Sequence, residues 1–318
     1  MSKIVERIEQ EAGIPGLVSI LAEHLAPTDL QSILLEVYRL RNSRRKPSDL
    51  LADYQRDRFV RPSEVAPAAL LAWEQVAFAH LPQEFQAIAL SPVCPLGTIS
   101  SLTALDQNWV LSTARNTEVV SDSTNVLALE CALRRRELLR KDPKSNVPVH
   151  LAASHRLLRA QRFERPELVS HFSAFALCSA GRDQGNLQFE MVALKQQIGF
   201  FMTALRAYLG SRVPLQCLVS DFYQEPREAL VGAELLAPLN AEFENFDCLF
   251  NGQRSSGRGY YLDLCYKIYA VDSSGKRYEL VDGGSVDWTQ KLLSSKKERL
   301  IISGLGTERL VQIFGSQV

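Results

Sequence analysis

The sequence predicts an α+β fold: an antiparallel sheet flanked by helices, preceded by a small helical extension. Three observations carry this expectation. Residues 214–306 are dominated by short alternating or apolar runs, PLQCLVSDF, FDCLFN, YYLDLCYKIYAV and RLIISGLG, and the polar turn DSSGK joins two such stretches. Residues 147–161 and 171–181 (VPVHLAASHRLLRAQ and HFSAFALCSAG) likewise read as long antiparallel strands across a polar loop. Three other segments, residues 68–81, 125–141 and 189–210, carry apolar residues at helical spacing.

Taken in order, residues 1–65 are short helices separated by Gly13, Pro15 and Gly16, then by Pro27 and Pro47. Thr28 or Asp29 is placed to cap a helix in which Leu30, Ile33, Leu34, Val37 and Leu40 share one face. The basic exit of that helix, Arg39 to Lys46, suits the negative end of its dipole and a solvated surface. The amphipathic helix over 68–81 leads into a short apolar strand, FQAIALSPVCPL, that ends at prolines. SSLTALD and WVLSTAR have the look of a hairpin. The polar run Ser121–Asn125 opens the helix over 125–141, and Gly210 closes the long helix begun at Phe189. A last helix follows over TERLVQIF.

The chain has 318 residues, and 36 Lys and Arg balance 36 Asp and Glu. At about 100–200 residues per domain, this length suits an extension over 1–65 and one large unit over 66–318. Zero net charge removes the attraction that strong nucleic-acid binders carry. The basic run Arg134, Arg135, Arg136, Arg140 and Lys141 lies on a helix, where neighbouring charges point in different directions. No apolar run approaches the roughly 20 residues of a membrane span. The N-terminus also lacks an apolar signal core, so a cytoplasmic protein is expected. Six scattered cysteines with no CxxC argue against a zinc site or disulfide framework. HExxH, GxxxxGK[ST] and GxSxG are absent, and with them the usual zinc-protease, P-loop and serine-hydrolase signatures.

Several separated segments, in the right order, resemble the catalytic core of class II aminoacyl-tRNA synthetases, the histidyl-type branch above all. IISGLGTERLV looks like the third motif of that family. Gly304 and Gly306 let the backbone pass close to a ligand, and Arg309 presents a guanidinium at a helix start. The resemblance implies that Arg309 binds the γ-phosphate of ATP. ELVDGGSVDWTQKLL resembles the histidyl-type diglycine segment, with Gly283 and Gly284 approaching a ligand. HRLLRAQ, RFERPELVS and HFSAF fit the outline of the second motif. There the likeness implies Arg159 on the α-phosphate, Gln161 where the family has glutamate, His171 facing phosphates, and Phe172 or Phe175 on adenine. Arg162 with Glu164 is a competing register for the arginine and acid. Residues 68–96 have the shape of the dimer-forming first motif, with Pro92 at the strand end, which implies a homodimer.

The remaining substrate contacts implied by the resemblance are Asp122 and Thr124 for an amino group, although Ser121 or Asp122 also suits a helix cap. Cys178 falls among the positions where histidyl enzymes hold the imidazole ring. GRGYY echoes their arginine signature only in part, leaving Arg254 or Arg258 as the catalytic arginine. ATP and Mg²⁺ are the implied cofactors, with Glu279 or Asp282 holding the metal. The polar imidazole readers are replaced, and the chain ends just after the third-motif helix, where an anticodon-binding domain would follow. Standard histidine charging is therefore not expected, and a role for tRNA is left open. The expected activity is an ATP-dependent ligase that makes an acyl adenylate from a carboxylate and passes the acyl group to an acceptor. The alternative is a catalytically silent histidyl-type paralogue serving as a regulatory or assembly subunit, with residues 1–65 as its partner surface.

Overall fold

The computed structural model describes residues 3–103, 105–161, 170–225, 227–243 and 246–315. The extension holds α1 (Lys3–Ala12), α2 (Leu17–Ser19) with a π-helical turn after it, α3 (Pro27–Asn42) and α4 (Pro47–Arg56). None of these helices has a buried residue. Ile33, Val37 and Leu40 of α3 stand in solvent. The start of α3 also differs from expectation. Pro27 occupies its first turn after an extended Ala26, and neither Thr28 nor Asp29 is the cap. The basic exit is neutralised locally, Arg39 by Glu36 and Arg45 by Asp53.

The main unit begins with α5 (Pro67–Ala79), β1 (Phe85–Ala87), β2 (Val93–Pro95), α6 (Thr98–Thr103) and β3 (Thr117–Val119). Among the described residues SSLTALD and WVLSTAR do not pair as the expected hairpin: 98–103 fold as α6, while Leu111 and Thr113 bond back to β3, which pairs with β2 in a separate two-stranded sheet. Alternation in SSLT misled because Ile99 and Leu102 are buried at helical spacing, one on either side of two serines. After α7 (Ser123–Lys141) come β4 (Val149–Leu158), β5 (His171–Arg182), α8 (Gln188–Leu209) and β6 (Leu215–Asp221). Short helices α9 (Glu228–Val231) and α10 (Ala237–Glu242) precede β7 (Asp247–Phe250) and β8 (Leu264–Val271). The chain then runs through β9 (Arg277–Val286), α11 (Trp288–Leu293), β10 (Glu298–Gly306) and α12 (Thr307–Phe314).

Eight strands form one sheet in the order β1-β4-β5-β10-β9-β8-β6-β7. Its centre is antiparallel, as expected. β1 and β7 add parallel edges, which makes the sheet mixed. One face packs on α8, α5 and α12 through Phe175, Leu177, Trp73 and Phe314. On the other, α7 and α11 cover Ala176, Cys178, Leu300 and Ile302 with Leu127, Cys131 and Trp288. The basic run on α7 is no surface patch: Arg135 is fully buried and grips Glu298 of β10 through two hydrogen bonds of 2.9 and 3.1 Å. Its other donors take the carbonyls of Ser145 and Val147, so the guanidinium is satisfied. Among the described residues, no helix is long and apolar enough to cross a membrane.

Candidate active site

Where α7 stops short of covering β5 and β10, a cavity of about 520 Å³ opens over the sheet. Strand register explains its floor. Ala174 lies opposite Gly306, and Ala176 opposite Gly304, which in turn pairs with Asp282. All five line the cavity. A Cβ on Gly304 would meet nothing nearer than the Phe175 carbonyl at 3.9 Å, and one on Gly306 only the Arg309 Cβ at 3.7 Å. The room at these two glycines therefore belongs to the cavity rather than to packing.

Arg159 and Arg309 both line this space. Arg159 leaves the end of β4, donates to the Ser121 carbonyl at 3.1 Å and lies 3.6 Å from Asp122. Its guanidinium carbon sits 5.2 Å from the centre of the Phe172 ring. Arg309, in the first turn of α12, has no ion-pair partner among the described residues. Asp122 both caps α7 and lines the cavity. One oxygen accepts from the Thr124 backbone N–H at 2.9 Å and from its hydroxyl at 2.7 Å, and the other faces Arg159. Thr124, Gln161 and Phe172 also line the cavity.

Glu279 and Asp282 reach the same wall through a β-bulge. Val281 pairs with Ile268 but Glu279 with Tyr269, which leaves Leu280 as the extra residue and reverses the alternation between them. Each carboxylate is already taken, Glu279 by Lys267 at 2.7 Å and Asp282 by Arg254 at 2.9 Å. Burial pushes the Asp282 carboxyl above the usual range against the pull of Arg254. As the side chains stand, this pair does not fit a divalent cation, which would have to displace both bases.

Other expected residues lie elsewhere. Phe175 alternates onto the α8 face, stacked on Phe200 at 5.5 Å, so only Phe172 of the two is available to a ligand. His171 is not among the lining residues: its Nδ1 accepts from Arg156 at 2.8 Å and its Nε2 donates to the Arg61 carbonyl at 2.5 Å. Cys178 is sealed beneath α7, where burial pushes its thiol well above the usual range. Gly283 and Gly284 serve packing. A Cβ on Gly283 would lie 2.6 Å from Ser303 Cβ and 2.7 Å from Tyr266, and one on Gly284 would lie 2.6 Å from the Leu264 carbonyl. Arg258 stacks on Phe222, 4.7 Å from its centre, and is outside the cavity, whereas Arg254 is the arginine tied to the cavity wall. The competing register at Arg162 and Glu164 lies outside the described residues.

The sequence reading missed Trp109, Asn125 and Glu308, all lining residues. Glu308 had a signal, since it immediately precedes Arg309. It is buried and accepts from Arg156 at 2.6 Å and from Ser63 at 2.8 Å. Tyr260 and Tyr261 close the inner end, their phenols pushed up chiefly by burial, and so remain protonated donors.

Comparison with solved structures finds the class II synthetase core. Apo histidyl-tRNA synthetase from S. aureus matches with a TM-score of 0.58 at 12% identity, covering 80% of this chain and 69% of that one. An ATP phosphoribosyltransferase regulatory subunit/histidyl-tRNA synthetase from Bacillus halodurans C gives 0.59 at 13% identity, covering 80% and 82%. The RNA binding domain of threonyl-tRNA synthetase from Cryptosporidium parvum Iowa II gives 0.57 at 10% identity, covering 80% and 68%. No protein-family model matches the sequence, and no curated protein does. The chain thus has the class II synthetase-like fold, and its site must argue for itself.

Proposed function

We propose that the cavity binds ATP together with a small carboxylate, and that the chain is an adenylate-forming ligase. The observation that supports this most is Arg309: a cation with no ion-pair partner among the described residues lines the same cavity as Arg159, over a glycine-floored strand. Arg309 would take the terminal phosphates and Arg159 the α-phosphate, with Phe172 as an aromatic surface for the base. A carboxylate oxygen of the substrate attacks the α-phosphorus, the bond to the β-bridging oxygen breaks, and pyrophosphate leaves with the electron pair. Arg159 stabilises the negative charge that gathers on the α-phosphoryl oxygens. Asp122 is placed to receive the ammonium of an amino-acid substrate, fixed by its two bonds to Thr124. The acyl adenylate then passes its acyl group to an acceptor nucleophile, releasing AMP. Mg²⁺ enters only as the ion that accompanies ATP, since Glu279 and Asp282 are committed to Lys267 and Arg254.

Calorimetric titration with ATP, followed by ATP–pyrophosphate exchange over a panel of amino acids and related acids, tests this. Arg309→Ala should weaken ATP by about 10- to 100-fold, the value of a charge-assisted hydrogen bond to phosphate. A wild-type chain that binds no ATP at millimolar concentration, or a variant that binds it equally well, refutes the assignment. The same reading makes the chain a homodimer through the surface carrying the exposed Leu71 of α5. Sedimentation as a single chain would refute that part.

A further inference from the structure

Although the extension buries nothing along its helices, the segment that joins it to α5 behaves differently. Arg58 is half-buried and spans the two ends of the β4–β5 connection. It donates to the carbonyls of Ala160 at 2.5 Å and Gln161 at 2.8 Å, and to the Ser170 hydroxyl at 2.7 Å. Those acceptors flank the functional residues: Arg159 sits beside Ala160 and has its N–H on the Ser170 carbonyl at 2.7 Å, and Phe172 follows two residues after Ser170. Three residues further on, the Arg61 carbonyl holds His171, which accepts from Arg156, which in turn donates to Glu308. Ser63 closes this ring by donating to the same Glu308 oxygen at 2.8 Å. Glu308 is the neighbour of Arg309. One short segment therefore grips both ends of the cavity rim, through contacts more than a hundred residues apart in sequence.

We propose that residues 57–65 form a strap that sets the geometry of the nucleotide site, with Arg58 and Ser63 as positioning residues. Arg58 fixes the Arg159 end, and Ser63 fixes the Arg309 end through Glu308. The positioning role rests on the nucleotide reading above, whereas the strap itself does not. An arginine suits the first task because its planar fork reaches three acceptors at once, which an ammonium cannot reproduce.

Two measurements on the full chain test this. Hydrogen exchange without ligand should show the amides of Arg159 and Ala160 opening about tenfold faster in Arg58→Ala, the equivalent of about 1.4 kcal/mol of local stability. Amides of β8 and β9 should be unchanged. Titration with AMP and with inorganic pyrophosphate should then split by variant. Arg58→Ala weakens AMP about tenfold and leaves pyrophosphate unchanged, whereas Ser63→Ala does the reverse. Arg61→Ala, which keeps its carbonyl, should match wild type. Should Arg58→Ala not fold, Arg58→Lys keeps the charge, loses the fork and is read in the same way. Unaltered exchange at Arg159 overturns the strap. Faster exchange with both affinities unmoved overturns the positioning role. Faster exchange in a chain whose wild type binds neither probe upholds the strap and overturns the nucleotide reading.

Discussion

Gly304 and Gly283 face opposite sides of neighbouring strands, and their surroundings predict opposite responses to a side chain. Gly304 has open space where its Cβ would be, the nearest atom lying 3.9 Å away, and its φ is negative. A side chain there costs the fold nothing and removes the glycine penalty of about 0.5–1 kcal/mol in a strand. Gly304→Val should therefore hold or raise the melting temperature by about 1–4 °C, on a scale of about 2–4 °C per kcal/mol for large domains. The isopropyl group instead occupies the cavity beside Ala176 and Asp282, so ATP binding is lost. Gly283→Ala must push its methyl to 2.6 Å from Ser303 Cβ and 2.7 Å from both the Ile302 carbonyl and the Tyr266 ring. Overpacking of that kind costs about 1–3 kcal/mol. Differential scanning calorimetry with ATP titration on both variants decides. If Gly304→Val unfolds, or binds ATP like wild type, the cavity assignment is wrong. If Gly283→Ala is as stable as wild type, the packing argument fails.

Arg135→Met should destabilise the chain by about 3–5 kcal/mol, because it leaves the fully buried Glu298 without its partner. The double variant Arg135→Met/Glu298→Leu should recover much of that loss in urea melts, and failure to recover would locate the cost in packing instead. Phe175→Ala should cost about 3–5 kcal/mol of stability and leave nucleotide affinity unchanged, since the ring packs on the α8 face; a selective loss of ATP binding would contradict that placement. His150 and His155 are both held below the ordinary imidazole value by burial. The unfolded chain binds these protons first, so their contribution is present above about pH 6.5 and is lost as pH falls through the lowered folded values. Stability should fall by up to about 1.4 kcal/mol per pH unit per histidine in that window. The slope should flatten in His150→Gln, and an unchanged slope would exclude His150 as its source.

The sheet was legible because its strands state their period: β4, β5, β8, β9 and β10 and helices α7, α8 and α12 all lie where the pattern puts them. The edges were less so. The single strand expected over FQAIALSPVCPL is two, β1 and β2, in separate sheets; three-residue β3 is too short to show a period, and α6 hides in an alternating run whose buried members are Ile99 and Leu102. In the site, strand parity decided what the motifs left open. Phe172 and Phe175 are both aromatic residues near a phosphate-binding outline, but three residues in a strand place them on opposite faces. Glu279 and Asp282 are also three apart, and there the bulge at Leu280 brings them together. No local pattern announces such a bulge, nor that the diglycine is pressed against β8 and β10 rather than a ligand. The strap was invisible for a different reason: Arg58 and Ser63 acquire meaning only from acceptors over a hundred residues away.

The proposed binding of a nucleotide and transfer from it make separate demands on these residues, and the demands fall on different arginines. In the proposed site, holding phosphates needs a cation free of ion pairs, and Arg309 has no such partner among the described residues. Polarising the α-phosphorus is assigned to Arg159 in that proposal, and its charge is shared with Asp122 at 3.6 Å and with the Ser121 carbonyl. An ammonium-bearing substrate relieves this competition, because it draws Asp122 toward itself and frees Arg159 for the phosphate. Amino acid and ATP should then bind with positive coupling, each tightening the other by the same factor. A subunit that regulates without catalysis has no use for that coupling, and one structural neighbour is named as a regulatory subunit. Asp122→Asn separates the two cases. In a ligase it frees Arg159, strengthens ATP alone and abolishes amino-acid-dependent exchange. Where ATP binds tightly, no amino acid changes its affinity and Asp122→Asn changes nothing, adenylate formation is refuted and the site is one that senses nucleotide without spending it.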